Sequence, residues 1–223
     1  MTILSEEVDL AGESEVVCDV ICRRNRYGVV QAGVCVVGNA YGLLVAFCIG
    51  IVGADMEVAE KTLRIMSVSL SDGIHYHGMS NTLLELLKKK DLTISISLLD
   101  FRNDNLIKVM APILNMEESE LVSRIQSSVK SLLNLAIQNK QRVSLYLHNT
   151  IPFGTIIAID EDLTEGSLIV ETKPYKLHSA SSFSYKLLNA ENSILYKNII
   201  EGCKNIEKDS TKVTKKLISS WNK

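Results

Sequence analysis

Aromatic residues are scarce, 5% of 223. That shortage removes one function class at once, because binders of single-stranded nucleic acid stack bases on exposed rings. No surplus of positive charge takes their place. Lys and Arg number 24 against 26 Asp and Glu, for a formal net charge of -2 and a pI near 6.1. Non-specific binding to a phosphate backbone needs a clear basic excess, so nucleic acid is not an expected partner. A disulfide framework is missing too. Cys18, Cys22, Cys35 and Cys48 crowd the first quarter of the chain and Cys203 stands alone, which is not the spacing of a stapled secreted domain. "CDVIC" has no second pair or histidine cluster nearby to complete a zinc site. No metal and no cofactor are expected. The start also lacks the short basic region of a secretory signal, since Asp9, Glu13, Glu15 and Asp19 precede the first apolar run.

What the chain does have is "GVVQAGVCVVGNAYGLLVAFCIGIVGA", residues 28–54, with no charge in its 27 residues. About 20 apolar residues span a bilayer as a helix. Gly38, Gly42, Ala46, Gly50 and Ala54 recur every fourth position, so a helix would carry all five along one side. Small residues on one face let helices pack closely in lipid. The competing reading is a β-hairpin of "YGVVQAGVCVV" and "YGLLVAFCIGIV" turning at Gly38-Asn39, because periodicity alone does not separate buried strands from a buried helix. The repeated small residues favour the helix. The expected organisation is therefore an N-terminal segment (1–27), a transmembrane helix (28–54) that associates with copies of itself, and an α/β domain (55–223). Arg23, Arg24 and Arg26 precede the stretch, with Lys61 and Arg64 after it. By the positive-inside rule this leans towards a cytoplasmic N-terminus. A sensor in the inner or plasma membrane would instead hold its C-terminal domain in the cytoplasm, and that is the location expected.

Beyond residue 54 the patterns alternate between helix and strand. "DMEVAEKTL" reads as a short helix. "RIMSVSL" reads as a strand with Met66, Val68 and Leu70 on one face. "SNTLLELLKKK" is an amphipathic helix capped by Ser80 or Asn81. "LTISISLLD" alternates, with Leu92, Ile94, Ile96 and Leu98 inward and Thr93, Ser95 and Ser97 outward. A long helix, "EESELVSRIQSSVKSLLNLAIQNK", carries the stripe Leu121, Ile125, Val129, Leu132 and Ala136, with Asn115 and Glu118 as its cap pair. Strands follow at "RVSLYLH", "FGTIIAID", "GSLIVET" and "SFSYKLL", then helices at "ENSILYKNIIEGCKNIEK" and "STKVTKKLISSW", where Trp221 packs the terminal helix on the domain. The fold class expected is α/β: a mixed sheet flanked by helices.

The order of elements from about Lys61 to Lys208 resembles a phospholipase D-like domain, and more closely a poorly characterised bacterial group of eroded ones. The stretches that carry the likeness are "LRIMSVSLSDGIHYHG", "TISISLLDFRNDNL" and "VSLYLHNTIPFGTIIAIDEDLTEGSLIVETKPY". The superfamily's reaction uses H-x-K-x-x-x-x-D, a nucleophilic imidazole with a cation on the phosphoryl oxygens. In "FGTIIAID" Phe153 stands at the His position and Thr155 at the Lys position, and only Asp160 remains. No H-x-K occurs in the chain. The resemblance implies the fold and argues against its reaction.

Open α/β sheets bind ligands at the carboxyl ends of their strands. Those positions carry Ser69, Ser71, Asp72, His75 and His77, then Asp100, Arg102 and Asn103, then His148 and Asn149. Together they suit a small polar or phosphorylated ligand with Arg102 as anion partner; singly, Asp72 and Asp100 are turn and helix caps. His75 and His77, with Asp72 and His148, form an alternative metal or hydrolase constellation. "DEDLTE" reads as a solvated hairpin loop, and "KKK" (88–90) as a helix C-terminus. The function expected is a membrane-anchored, catalytically eroded ligand sensor or effector, with bacterial stress or defence signalling as its setting. The alternatives are an active phosphodiesterase using His75, His77 and Asp72, or a soluble interaction domain.

Overall fold

The computed structural model describes residues 4–7, 17–24, 30–38, 43–48, 56–70, 81–152, 154–172, 175–176, 183–189, 193–219 and 221, the first four segments by their main chain alone. Eleven strands form one sheet. In chain order they are β1 (Leu4–Glu7), β2 (Val17–Arg24), β3 (Val30–Gly38), β4 (Leu43–Cys48), β5 (Thr62–Ser67), β6 (Thr93–Leu99), β7 (Val143–His148), β8 (Thr155–Ile159), β9 (Ser167–Thr172), β10 (Phe183–Leu188) and β11 (Thr211–Lys212). Their order across the sheet is β1-β2-β3-β4-β10-β9-β8-β5-β6-β7-β11. The helices of the described residues are α1 (Asp104–Ile113), α2 (Glu118–Gln138), α3 (Ile194–Lys208) and α4 (Lys215–Ser219). A further helical segment occupies residues 81–86.

The seven strands from β10 to β11 form a mixed sheet. β5, β6 and β7 run parallel, while β8, β9 and β10 add antiparallel neighbours on one side and β11 on the other. Parallel pairs need a crossover, and α1 and α2 supply the one between β6 and β7. Both faces of the sheet are covered. On one face Leu63, Ile65, Ile94, Ile96, Val143 and Leu145 meet Leu121, Ile125, Val129 and Leu132 of α2. On the other, Met66, Ile156, Ala158, Leu168 and Val170 meet Tyr196, Ile200 and Cys203 of α3.

Several sequence expectations change. The expected transmembrane helix is a pair of strands: β3 and β4 pair antiparallel from Gly33↔Cys48 to Gly38↔Leu43. The reason lies in Val30, Val34, Val36, Val37 and Val45, whose branched side chains suit a pleated strand better than a helix. Of the small-residue ladder, Gly38 and Ala46 lie in these strands, while Gly42, Gly50 and Ala54 fall outside the described residues. Among the described residues no helix is long and apolar enough to cross a membrane. The self-association and membrane location argued from that helix lose the element they rested on. β1 and β2, not anticipated, extend the same hairpin series.

The stretch 56–60 is mostly turn. β5 ends at Ser67, so Met66 faces the second core and Val68 and Leu70 lie beyond the strand. α1 was not anticipated, since Pro112 sits in its last turn and reads as a breaker. α2 begins at Glu118 without a side-chain cap; Asn115 instead adopts a left-handed φ of 56° in the turn before it.

β4 covers the outer edge of β10, with Phe47 opposite Tyr185 and Ala46 opposite Lys186. An uncovered edge is a template for pairing with another chain. A chain beginning at Asp55 is therefore expected to self-associate through β10. Size-exclusion elution that shifts with concentration, against a full-length control that does not shift, is the measurement that checks this.

Candidate functional site

The parallel strands β5, β6 and β7 deliver their carboxyl ends to one rim of the sheet, and antiparallel β8 brings its amino end there. Loops leaving such a rim are free of sheet pairing, and ligands of open α/β sheets gather at that end. Of the sequence candidates, Ser69, Asp100, Arg102, Asn103, His148 and Thr155 meet there. Ser71, Asp72, His75, His77 and Phe153 lie outside the described residues.

The rim is held by a chain of polar contacts. Ser67 Oγ lies 3.0 Å from Thr155 Oγ1 and donates to the Ser69 carbonyl at 2.8 Å. With Oγ committed to that carbonyl, it accepts the Thr155 hydroxyl proton. The N–H of Asp100 donates to the His148 carbonyl at 2.8 Å, which ties the end of β6 to that of β7. Asp100 is 4% exposed. Its carboxylate accepts from the Arg102 N–H (3.0 Å), Arg102 Nε (2.8 Å) and Arg102 Nη2 (2.6 Å). These bonds push the Arg102 pKa up, so the guanidinium is always charged. Its side chain is 37% exposed, and Nη1 makes no bond among the described residues. Asn103 caps α1 by accepting from the Leu106 N–H at 3.3 Å, and its amide donates to Asn149 Oδ1 at 3.1 Å. The capping role foreseen for Asp100 holds, and the ion pair adds to it.

His148 is fully buried. The Thr150 N–H donates to its Nδ1 at 3.4 Å, and Nε2 lies 3.2 Å from the Ser67 carbonyl. A ring nitrogen that faces a carbonyl must donate, so the imidazole is neutral with its proton on Nε2. Burial pushes its pKa down. Both nitrogens are committed to the main chain, and neither is free to attack a substrate or bind a metal. Among the described residues no group of His, Cys, Asp and Glu could hold a metal ion. Cys203, on the inner face of α3, is also buried, which pushes its thiol up to about 11.

Beside Thr155, Gly154 is a close-approach glycine: a Cβ there would sit 2.1 Å from the Glu171 carbonyl oxygen of β9. Asp160 lies at the other end of β8, away from the rim. Its carboxylate accepts from the main-chain N–H groups of Glu60 (2.9 Å), Lys61 (2.7 Å) and Thr62 (2.8 Å). Its backbone is left-handed, φ 49°, a conformation that Asp and Asn tolerate better than most residues. Asp160 thus anchors the start of β5.

Sequence reasoning missed Ser67 and an ion network on the adjoining face. Glu161 was read as part of a solvated loop, yet its side chain is 4% exposed. Arg64 reaches it with Nε and Nη2, both at 2.9 Å, and places Nη1 on Glu207. The signal was available: an arginine at an inner position of an apolar strand needs a buried carboxylate somewhere.

Two outcomes are expected here. Asp160→Ala leaves three N–H groups without acceptors and costs about 3 kcal/mol. Asp160→Asn costs less, because it keeps one oxygen and the left-handed backbone; denaturant midpoints separate the two. His148 gives a pH signature. Its folded pKa lies below the unfolded value, so the unfolded chain takes up the proton first as pH falls. Its contribution is intact above about pH 6.5 and declines below it, by at most about 1.4 kcal/mol per pH unit. Melting of His148→Gln between pH 7 and 5 should show a shallower loss than the wild type.

No family model and no curated protein matches the sequence. Among solved structures, the chain is similar to Nuc of Salmonella typhimurium, a phospholipase D family member, with 12% identity, 77% of this chain and 97% of that one covered, and a TM-score of 0.49. It is similar to the archaeal chromatin protein TrmBL2, with 11% identity, 76% and 54% covered, and a TM-score of 0.48. It is also similar to phosphatidylserine synthase of Haemophilus influenzae Rd KW20, with 12% identity, 80% and 42% covered, and a TM-score of 0.53. The chain thus spans about half the length of the second and less of the third. At such identities the likeness is one of fold. The mixed seven-strand sheet flanked by helices is the fold it shares with that synthase.

Proposed function

We propose that this chain is a ligand-binding domain on a phospholipase D-like fold, a sensor or effector that recognises a small polar or phosphorylated ligand at the rim of β5, β6 and β7 and does not cleave phosphodiesters. The observation that supports it most is Thr155. It stands where the family's reaction has its lysine, is 8% exposed, and is bonded to Ser67. A neutral hydroxyl there does not neutralise a phosphoryl oxygen. The rim keeps one half-exposed cation, Arg102, pre-oriented by Asp100, and an oriented guanidinium is suited to oxyanions.

Trp221, the only tryptophan, offers a readout. Its ring meets Phe101 edge-on, with centroids 4.7 Å apart, and Phe101 lies between Asp100 and Arg102 in the chain. Titration with glycerol phosphate should change Trp221 fluorescence saturably, and Arg102→Gln should weaken the response at least tenfold. Turnover of bis(p-nitrophenyl) phosphate should stay at background. Saturable hydrolysis that is lost on His75→Ala or His77→Ala would replace this reading with the hydrolase.

A further inference from the structure

The sheet face under α3 is of two kinds. Beneath β5, β8, β9 and β10 it is apolar, and Tyr196, Ile200 and Cys203 of α3 seal it. Beneath β6 and β7 it turns polar. The register aligns Ser95 of β6 with Arg64 of β5 and with Ser144 of β7, and Ser97 with Tyr146. Side chains two apart on a strand share a face, so Arg64, Ser95, Ser97, Ser144 and Tyr146 stand on one side. α3 turns its last helical turn towards this area, and a cavity of about 360 Å³ opens between them, lined by Arg64, Tyr146, Lys204, Glu207, Lys208 and Ser210. That volume is within the range of small-ligand sites, about 300–1,000 Å³.

Three cations and one carboxylate line it. The carboxylate is already neutralised, since Glu207 Oε2 takes Arg64 Nη1 and the Ser95 hydroxyl at 2.5 Å. Arg64 is further bound to Glu161, and Lys204 to Asp162 at 2.9 Å and Glu161 at 3.6 Å. Lys208, one turn beyond Lys204, has no ion-pair partner among the described residues. A fourth cation, Lys212, lies 5.8 Å from the centre of the Tyr146 ring. Next to Tyr146, Ser97 is fully buried, and its hydroxyl has no hydrogen-bond partner among the described residues. Buried polar atoms are nearly always satisfied. Ser97 lies beside Tyr146 and not in the cavity lining, whose hydroxyl-bearing residues are Tyr146 and Ser210.

We propose that this cavity is a second anion site, separate from the rim, which takes a phosphate-bearing small molecule. Lys208 supplies the free charge, and Tyr146 and Ser210 orient the ligand. Lys204 shares its ammonium between Asp162 and the ligand, while Arg64 keeps Glu207 from repelling it.

Calorimetric titration of the full chain with pyrophosphate tests this. Saturable binding is expected, weakened at least tenfold by Lys208→Glu and several-fold by Tyr146→Phe, and unchanged by Arg102→Gln at the rim. Lys130→Glu, on the exposed side of α2 beyond the opposite face, controls for general charge. The proposal is overturned if no binding is seen, if Lys208→Glu leaves it intact, or if Lys130→Glu weakens it as much. Binding lost with Arg102→Gln and kept with Lys208→Glu would support the rim alone and remove the second site. Binding lost with Lys208→Glu and no glycerol phosphate response at Arg102 would do the reverse.

Discussion

One carboxylate fixes the frame on which the rim and the α3 cavity are built. Asp160 takes three consecutive main-chain N–H groups at the entry to β5, and its own N–H returns a bond to the Thr62 carbonyl. That exchange joins the end of β8 to the beginning of β5 and so sets their antiparallel register. Everything at the rim follows, because Thr155 is opposite Ser67 only in that register. The next residue, Glu161, continues from the same corner into the Arg64 pair. One left-handed turn therefore positions the hydroxyl pair at one end of the sheet and the ion network on its face. A residue that holds the backbone in this way costs stability when it is lost, whatever chemistry the fold carries.

The division of the sheet into an apolar and a polar half explains how a single helix serves two purposes. α3 spends Tyr196, Ile200 and Cys203 on the core and leaves Lys204, Glu207 and Lys208 for the cavity. The two groups lie on adjoining stripes of one helix. Substitutions on the first stripe act through packing, and those on the second through charge. Arg64 and Glu161 sit at the boundary, and their desolvated pair is tolerable because each has a second partner: Glu207 for the arginine, Lys204 for the glutamate.

The sequence was legible where one physical signal dominated. β6 followed from period-two alternation, and the stripe of α2 from its spacing. The clustering of Asp100, Arg102, Asn103 and His148 followed from the rule that parallel strands share a carboxyl end. The uncharged stretch of residues 28–54 was ambiguous because length and small residues argue for a helix as well as valines argue for strands. The face expected for β5, Met66, Val68 and Leu70, runs past the strand's end at Ser67, because the apolar alternation continues into the loop beyond it. The burial of Glu161 and the anchoring role of Asp160 depend on partners about 97 to 100 residues away in the chain. Local pattern holds no record of such distances.

The two borders of the seven-strand unit are not equivalent. β10 is paired along its outer side with another strand of a continuing sheet, while β7, among the described residues, pairs outward with the two residues of β11 and the N–H of Val213. The indole N–H of Trp221 is buried with no acceptor among the described residues, so docking it forfeits a hydrogen bond that water would supply. The apolar gain of the ring and that loss oppose each other, which leaves the tail near balance. Amides of Thr211 to Val213 should thus exchange with solvent well before those of β5 and β8.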